Sequence, residues 1–152
     1  MAIINQASAT GTTSIKLIDA RGPRFGAAIT TAVLALALVT HSVWVIAFQL
    51  VVFAIGAFTG PSKTPYAFIY KKFVKPRLSG DVPTEDVRPP QFAQLVGFGF
   101  ALVATIAGLF GATTLFSVAV SFCLAAAFLN AAFNFCLGCE AYLLATRAFK
   151  RA

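Results

Sequence analysis

Apolar residues fall into two long runs, from about Ala27 to Phe58 and from about Phe92 to Phe149. Between them, Thr59 to Gln91 holds six of the seven prolines and most of the charge. Runs of this length point to lipid as the solvent. The first covers roughly 32 residues, too long for one crossing of about 20 and short for two. Its polar break, Thr40-His41-Ser42, predicts a hairpin of helices over 25–40 and 43–59. Both are short, so local thinning of the bilayer or flanking anchors must help them cross. The second run divides at Gly111-Ala112-Thr113-Thr114 and predicts helices over 91–111 and 115–147. The last is long enough to project from the membrane or to bend near Gly138.

Composition supports a membrane setting. The chain is 59% hydrophobic and 11% charged, and its mean hydropathy is +0.83. A soluble domain carries about 25% charge. The net charge of +7 would suggest nucleic acid for a soluble protein. Here the cations lie outside the apolar runs, so topology and anionic lipid explain them, and no nucleic-acid partner is expected.

Orientation follows from the same charges. Lys16, Arg21 and Arg24 precede the first span. Lys63, Lys71, Lys72, Lys75, Arg77 and Arg88 lie between the second and third. Arg147, Lys150 and Arg151 follow the fourth. With four spans all 12 cations fall on one side, which is the positive-inside pattern. With one span in the first run, the basic middle segment would lie outside. The expected fold is therefore an all-α membrane protein of four transmembrane helices. A cytoplasmic segment (1–24) leads into a first transmembrane hairpin (25–59), a basic cytoplasmic or interfacial loop (60–90), a second hairpin (91–147) and a cytoplasmic tail (148–152). The protein is expected in the plasma (inner) membrane with both termini cytoplasmic. Met1 to Arg24 is mixed and polar, unlike a secretory signal, so the mature chain is expected to begin near Met1.

The two halves begin alike. Asp19, Arg21, Pro23 and Phe25 lie on Asp86, Arg88, Pro90 and Phe92 at a constant offset of 67. This suggests two parallel helical-hairpin repeats related by an axis along the membrane normal. The motif also has local uses. Proline presets the first helical turn, and aspartate just before the helix suits its dipole. Arginine can pair with the aspartate or with lipid phosphate, and phenylalanine enters the interface. A helix-entry motif without chemistry and a paired functional interface are both compatible with it. In the middle loop, Pro65 to Lys75 interleaves aromatics with lysines, as an interfacial segment lying on the membrane would.

Polar groups at membrane depth are the best functional clues. The predicted last helix holds Asn130, Asn134, Cys136, Cys139 and Glu140. Asn130 and Asn134, four apart, share a helix face. They suit either interhelical packing or a polar cavity. Cys136-Leu137-Gly138-Cys139 is a CxxC, a spacing that redox pairs favour when a helix N-terminus stabilises one thiolate. On this reading the pair falls late in a helix, unless Gly138 opens it. Thiol chemistry, apolar packing and metal binding all remain open. Metal has the least support, because only Glu140 and the distant His41 could add ligands. Glu140, the only acid in the second run, is placed either as a base for Cys136 or at the rim, paired with Arg147. With Cys123, the cysteines number three, which does not suggest a secreted disulfide framework.

Three segments together resemble a known family: Ile18 to Phe25, Glu85 to Gln94, and Asn134 to Glu140. The chain is similar, over about residues 15–150, to the bacterial membrane family called domain of unknown function 4395. Gln91 stands where that pattern would carry a basic residue. The resemblance implies a polytopic plasma-membrane protein of a kind common in actinobacteria. It also implies, from genes encoded nearby, a thioredoxin-like or sulfurtransferase partner.

Three functions compete. One is a thiol-redox or sulfur-relay protein using Cys136 and Cys139. Another is a small transporter or channel subunit for a sulfur anion, which with four short spans would need a homodimer. The third is a structural subunit of a larger membrane complex. No nucleotide-binding glycine motif, catalytic serine constellation or paired carboxylates in a plausible pocket appears, and no cofactor is expected.

Overall fold

The computed structural model describes residues 17–78 and 84–151. Its elements are β1 (Leu17–Asp19), α1 (Arg21–Thr40), α2 (Val43–Phe58), α3 (Pro65–Ile69), β2 (Thr84–Asp86), α4 (Arg88–Leu109), α5 (Thr113–Phe133) and α6 (Leu137–Arg151). Around α3, Pro61–Lys63 and Lys75–Arg77 form 3-10 turns and Tyr70–Val74 a π turn.

Three helices, α1, α4 and α5, are long and apolar enough to cross a membrane. Helix α2 is apolar but has 16 residues, about 24 Å at 1.5 Å per residue, against a hydrocarbon core of about 30 Å. The helices form two hairpins. Between α1 and α2 the chain reverses at His41, whose φ is 52°, and Ser42 then caps α2 by accepting from the Val45 N–H at 3.4 Å. Between α4 and α5 it reverses through Gly111, where φ is 75°, a backbone state that glycine adopts without steric cost.

The hairpins pack crosswise, α1 mainly along α5 and α2 mainly along α4. Leu34, Ile46, Phe53, Phe116 and Val120 form the core with a set of alanines. Small residues let the helices approach. A Cβ at Gly97 would lie 2.8 Å from the Phe53 ring, and one at Gly108 would lie 2.7 Å from Val43. In lipid, where apolar burial between helices gains little, such close packing holds spans together.

Two features differ from the sequence expectation. First, residues before each hairpin pair as an antiparallel ribbon, Leu17 opposite Asp86 and Asp19 opposite Thr84. Second, the expected helix over 115–147 is broken. Helix α5 stops at Phe133 because Asn134 turns left-handed, with φ 55°. The Asn134 and Phe135 N–H groups then bond back to Asn130 O at 3.1 Å and Leu129 O at 3.2 Å. This satisfies carbonyls that a helix end would otherwise leave free. A separate amphipathic helix, α6, begins at Leu137 and packs mainly on α4.

Candidate functional site

The break at Asn134 changes the setting of the cysteines. Cys136 is the residue just before α6. Its carbonyl accepts from the Glu140 N–H at 3.0 Å, and its sulfur accepts from the Cys139 N–H at 3.1 Å. These are the two bonds of a helix N-cap, with sulfur where serine or aspartate would usually place oxygen. The CxxC therefore opens a helix, which corrects its expected position late in one.

Cys136 and Cys139 are joined in a disulfide, with their Cα atoms 5.1 Å apart. Both residues are half-buried. The turn is fixed from behind by α4. A Cβ at Gly138 would lie 2.6 Å from both Cα and Cβ of Ala93, so only glycine fits this seat. One turn further on, the Tyr142 and Phe92 rings meet at 5.7 Å between centroids. Free Cys123 is elsewhere, buried in the core on α5.

The other residues singled out by sequence fall in different places. Glu140 is exposed in the first turn of α6, where a negative charge suits the helix dipole. Among the described residues the ion pairs are Asp19–Arg21 and Asp86–Arg88, so Glu140 is not paired with Arg147. Asn130 is half-buried near the end of α5, whereas Asn134 is exposed in the turn. With Asn134 outside the helix, the two amides do not form one polar helix face. No group of three or more His, Cys, Asp and Glu among the described residues is placed to hold a metal ion.

The paired entry motifs do form matching clamps. Asp19 Oδ1 accepts from the Arg21 N–H at 2.9 Å and from Arg21 Nε at 3.2 Å. Asp86 Oδ1 accepts from the Arg88 N–H at 2.9 Å and from Arg88 Nε at 3.2 Å. Each aspartate thus closes a turn and holds its own arginine at a helix start. Burial opposes the charge on both aspartates, but the hydrogen bonds from their arginines outweigh it and keep both carboxyls below the ordinary value. Asp19 has a further donor, the Tyr70 hydroxyl at 2.9 Å.

About one helical turn after each arginine, the two halves again do the same thing with different chemistry. Arg24 Nε donates to Ala131 O, near the end of α5, at 3.1 Å. Gln91 Nε2 donates to Ala57 O, near the end of α2, at 2.9 Å. Gln91 thus departs from the expected basic residue yet keeps the N–H that a helix C-terminus calls for.

A sequence model described as Domain of unknown function (DUF4395) matches residues 18–147. The chain belongs to this family. The matched span begins in β1 and ends within α6, so it includes both clamps and the cysteine pair of this family member. No curated protein and no solved structure matches the chain.

A buried polar cluster lies apart from the cysteines. Gln49, the only polar residue within α2, is fully buried and accepts at Oε1 from the Tyr66 hydroxyl at 2.7 Å. Its Nε2, and Oε1 of Gln94, are buried without a partner. Gln94, Thr30, Thr64 and Tyr66 help line a cavity of about 20 Å³, room for one water. A larger, wholly apolar groove lies between α4 and α5, walled by residues such as Val96, Phe100, Leu115 and Phe122. Asn130 and Asn134 line neither. Sequence reasoning passed over Gln49, although a lone amide in an apolar helix is the signal that could have found it.

Proposed function

We propose that this protein is an inner-membrane thiol–disulfide exchange protein whose working pair is Cys136 and Cys139. The observation that carries this reading is the disulfide at the start of α6, with Cys136 as N-cap. A structural staple is a weaker explanation. A bridge with a sequence separation of 3 closes so short a loop that it removes little entropy from the unfolded chain. A thiolate at a helix N-terminus, by contrast, is stabilised by free amides and the helix dipole. On the cytoplasmic side of a membrane, disulfides are mostly transient and catalytic. A thioredoxin-like or sulfurtransferase partner would exchange electrons, or sulfur, with this pair.

The same proposal includes four spans as two parallel repeats, with both termini cytoplasmic. Its support is the exchange relation of the packing: swapping α1 with α4 and α2 with α5 turns the α1–α5 contact into the α4–α2 contact. The two aspartate clamps and the two donations to helix ends obey the same swap. The cations then fall, along the sequence, in the segments that this topology puts on the cytoplasmic side, and α2 makes a short fourth crossing.

The test is to equilibrate the full-length protein in lipid nanodiscs with glutathione buffers of graded redox potential, then alkylate and weigh it. A reversible two-electron transition confined to Cys136 and Cys139 is expected. If the pair stays alkylatable at every potential, and Cys136→Ser with Cys139→Ser has no effect in cells, the reading fails.

A further inference from the structure

The two sulfurs are not equivalent, and their difference deepens the exchange reading on which this inference rests. We infer that Cys136 is the sulfur that attacks an incoming protein disulfide, and that Cys139 is the one that resolves the mixed disulfide.

Their places in α6, their relation to the helix dipole and their surroundings separate them. Cys136 precedes the first helical residue, so its sulfur lies at the mouth of α6 and already accepts the Cys139 N–H at 3.1 Å. Negative charge on Cys136 meets the positive end of the helix, whereas charge on Cys139 lies a turn inside, with its own amide committed to Cys136. Next to Cys139, Gly138 is seated on Ala93, so α4 backs that side of the turn. Upstream of Cys136, Asn134 and Phe135 are exposed, and the chain there has left the helix.

The chemistry balances as follows. The Cys136 thiolate attacks one sulfur of the partner's disulfide. A Cys136–partner bond forms, the partner's S–S bond breaks, and its other sulfur leaves as a thiolate and takes a proton. Cys139 then loses its proton and attacks the Cys136 sulfur. The intramolecular disulfide forms, and the partner's remaining sulfur leaves as a thiolate and is protonated. Two electrons pass from the pair to the partner, which becomes a dithiol. The reverse sequence oxidises a partner dithiol. The short Cα–Cα distance of 5.1 Å places Cys139 within reach for the resolving step.

Single cysteines make the test. Cys139→Ser and Cys136→Ser are each prepared in a Cys123→Ala background, reduced in nanodiscs, and exposed to oxidised glutathione as the probe disulfide. Serine at 136 retains a capping oxygen, and circular dichroism of each variant confirms that α6 persists. Cys139→Ser should accumulate the glutathione adduct at Cys136 at least about tenfold faster than Cys136→Ser does at Cys139. The rate for Cys136 should also reach half its maximum at a lower pH. Equal rates, a faster Cys139, or no adduct in either variant while the unsubstituted pair still oxidises would overturn the assignment and leave the exchange reading standing. If the unsubstituted pair does not oxidise either, the exchange reading falls with it.

Discussion

Gly138 sits directly on Ala93: a Cβ added at position 138 would lie 2.6 Å from the Ala93 backbone Cα. The obstacle is main chain, so no rotamer change can relieve it. Gly138→Val should displace α6 from α4 and lower stability by about 1–3 kcal/mol, the usual cost of overpacking. Thermal unfolding in detergent measures this. The contact would be shown unimportant by an unchanged melting temperature together with an unchanged Phe92–Tyr142 proximity.

Gln91 and Ala57 test whether donation to a helix end matters more than charge. Gln91→Leu removes the 2.9 Å bond and should cost about 1 kcal/mol. Gln91→Glu should cost more, because it sets a second acceptor against a carbonyl at the negative end of α2. Chemical denaturation of the two variants at neutral pH gives the order. Equal stabilities would mean that the amide N–H is not the operative group.

Asp19 gives an acid-range prediction. Burial raises its affinity for protons, but donation from Arg21 and Tyr70 prevails and its folded value is lowered. A lowered folded value means stability that is present above the unfolded value of about 3.9. That stability is lost as pH falls through the folded value. Tyr70→Phe removes one donor and should shift the acid transition upward, toward the ordinary carboxylate range. Asp19→Asn should flatten it. A pH titration of thermal stability that is identical in all three proteins would refute the assignment.

Tyr66 makes the alkaline counterpart. Burial pushes its hydroxyl up to about 12. A raised folded value means stability that is complete below the unfolded value of about 10. It declines as pH rises from there through the folded value. Tyr66→Phe should lack that decline, and should lose about 1–3 kcal/mol at neutral pH because Gln49 Oε1 is left buried without a donor. The check is denaturation at neutral and alkaline pH. A variant as stable as the parent at neutral pH would count against the Tyr66–Gln49 bond.

The four-span arrangement can be tested one residue at a time. In a background where all three cysteines are replaced, His41→Cys and Thr113→Cys should react with a membrane-impermeant maleimide on intact cells. Lys72→Cys and Arg147→Cys should react only after lysis. Labelling of Lys72→Cys from outside would mean that α2 does not cross.

Much of this was legible in the residues themselves. The apolar runs, their polar breaks at Thr40-His41-Ser42 and Gly111, and the shared Asp-x-Arg-x-Pro-x-Phe spacing depend only on local chemistry, and the hairpins begin and turn near where they indicate. The family was legible too, because its motifs are continuous stretches of chain. The ribbon between Leu17 and Asp86 was not, since it joins residues far apart in sequence. Nor was the end of α5. In a run apolar enough for lipid, periodicity cannot mark a break, and Asn134 reads equally well as a buried amide or as a left-handed cap.

Hydrophobic length and charge placement, which act residue by residue, determined that this chain is helical, membrane-like and divided into hairpins. Only the packed structure decided that the cysteine pair opens α6, that Gly138 must be small because Ala93 lies behind it, and that Gln91 can serve where a basic residue was expected. Those outcomes depend on which backbone faces which across the bundle. A linear pattern carries no such information until long-range contacts bring the helices together.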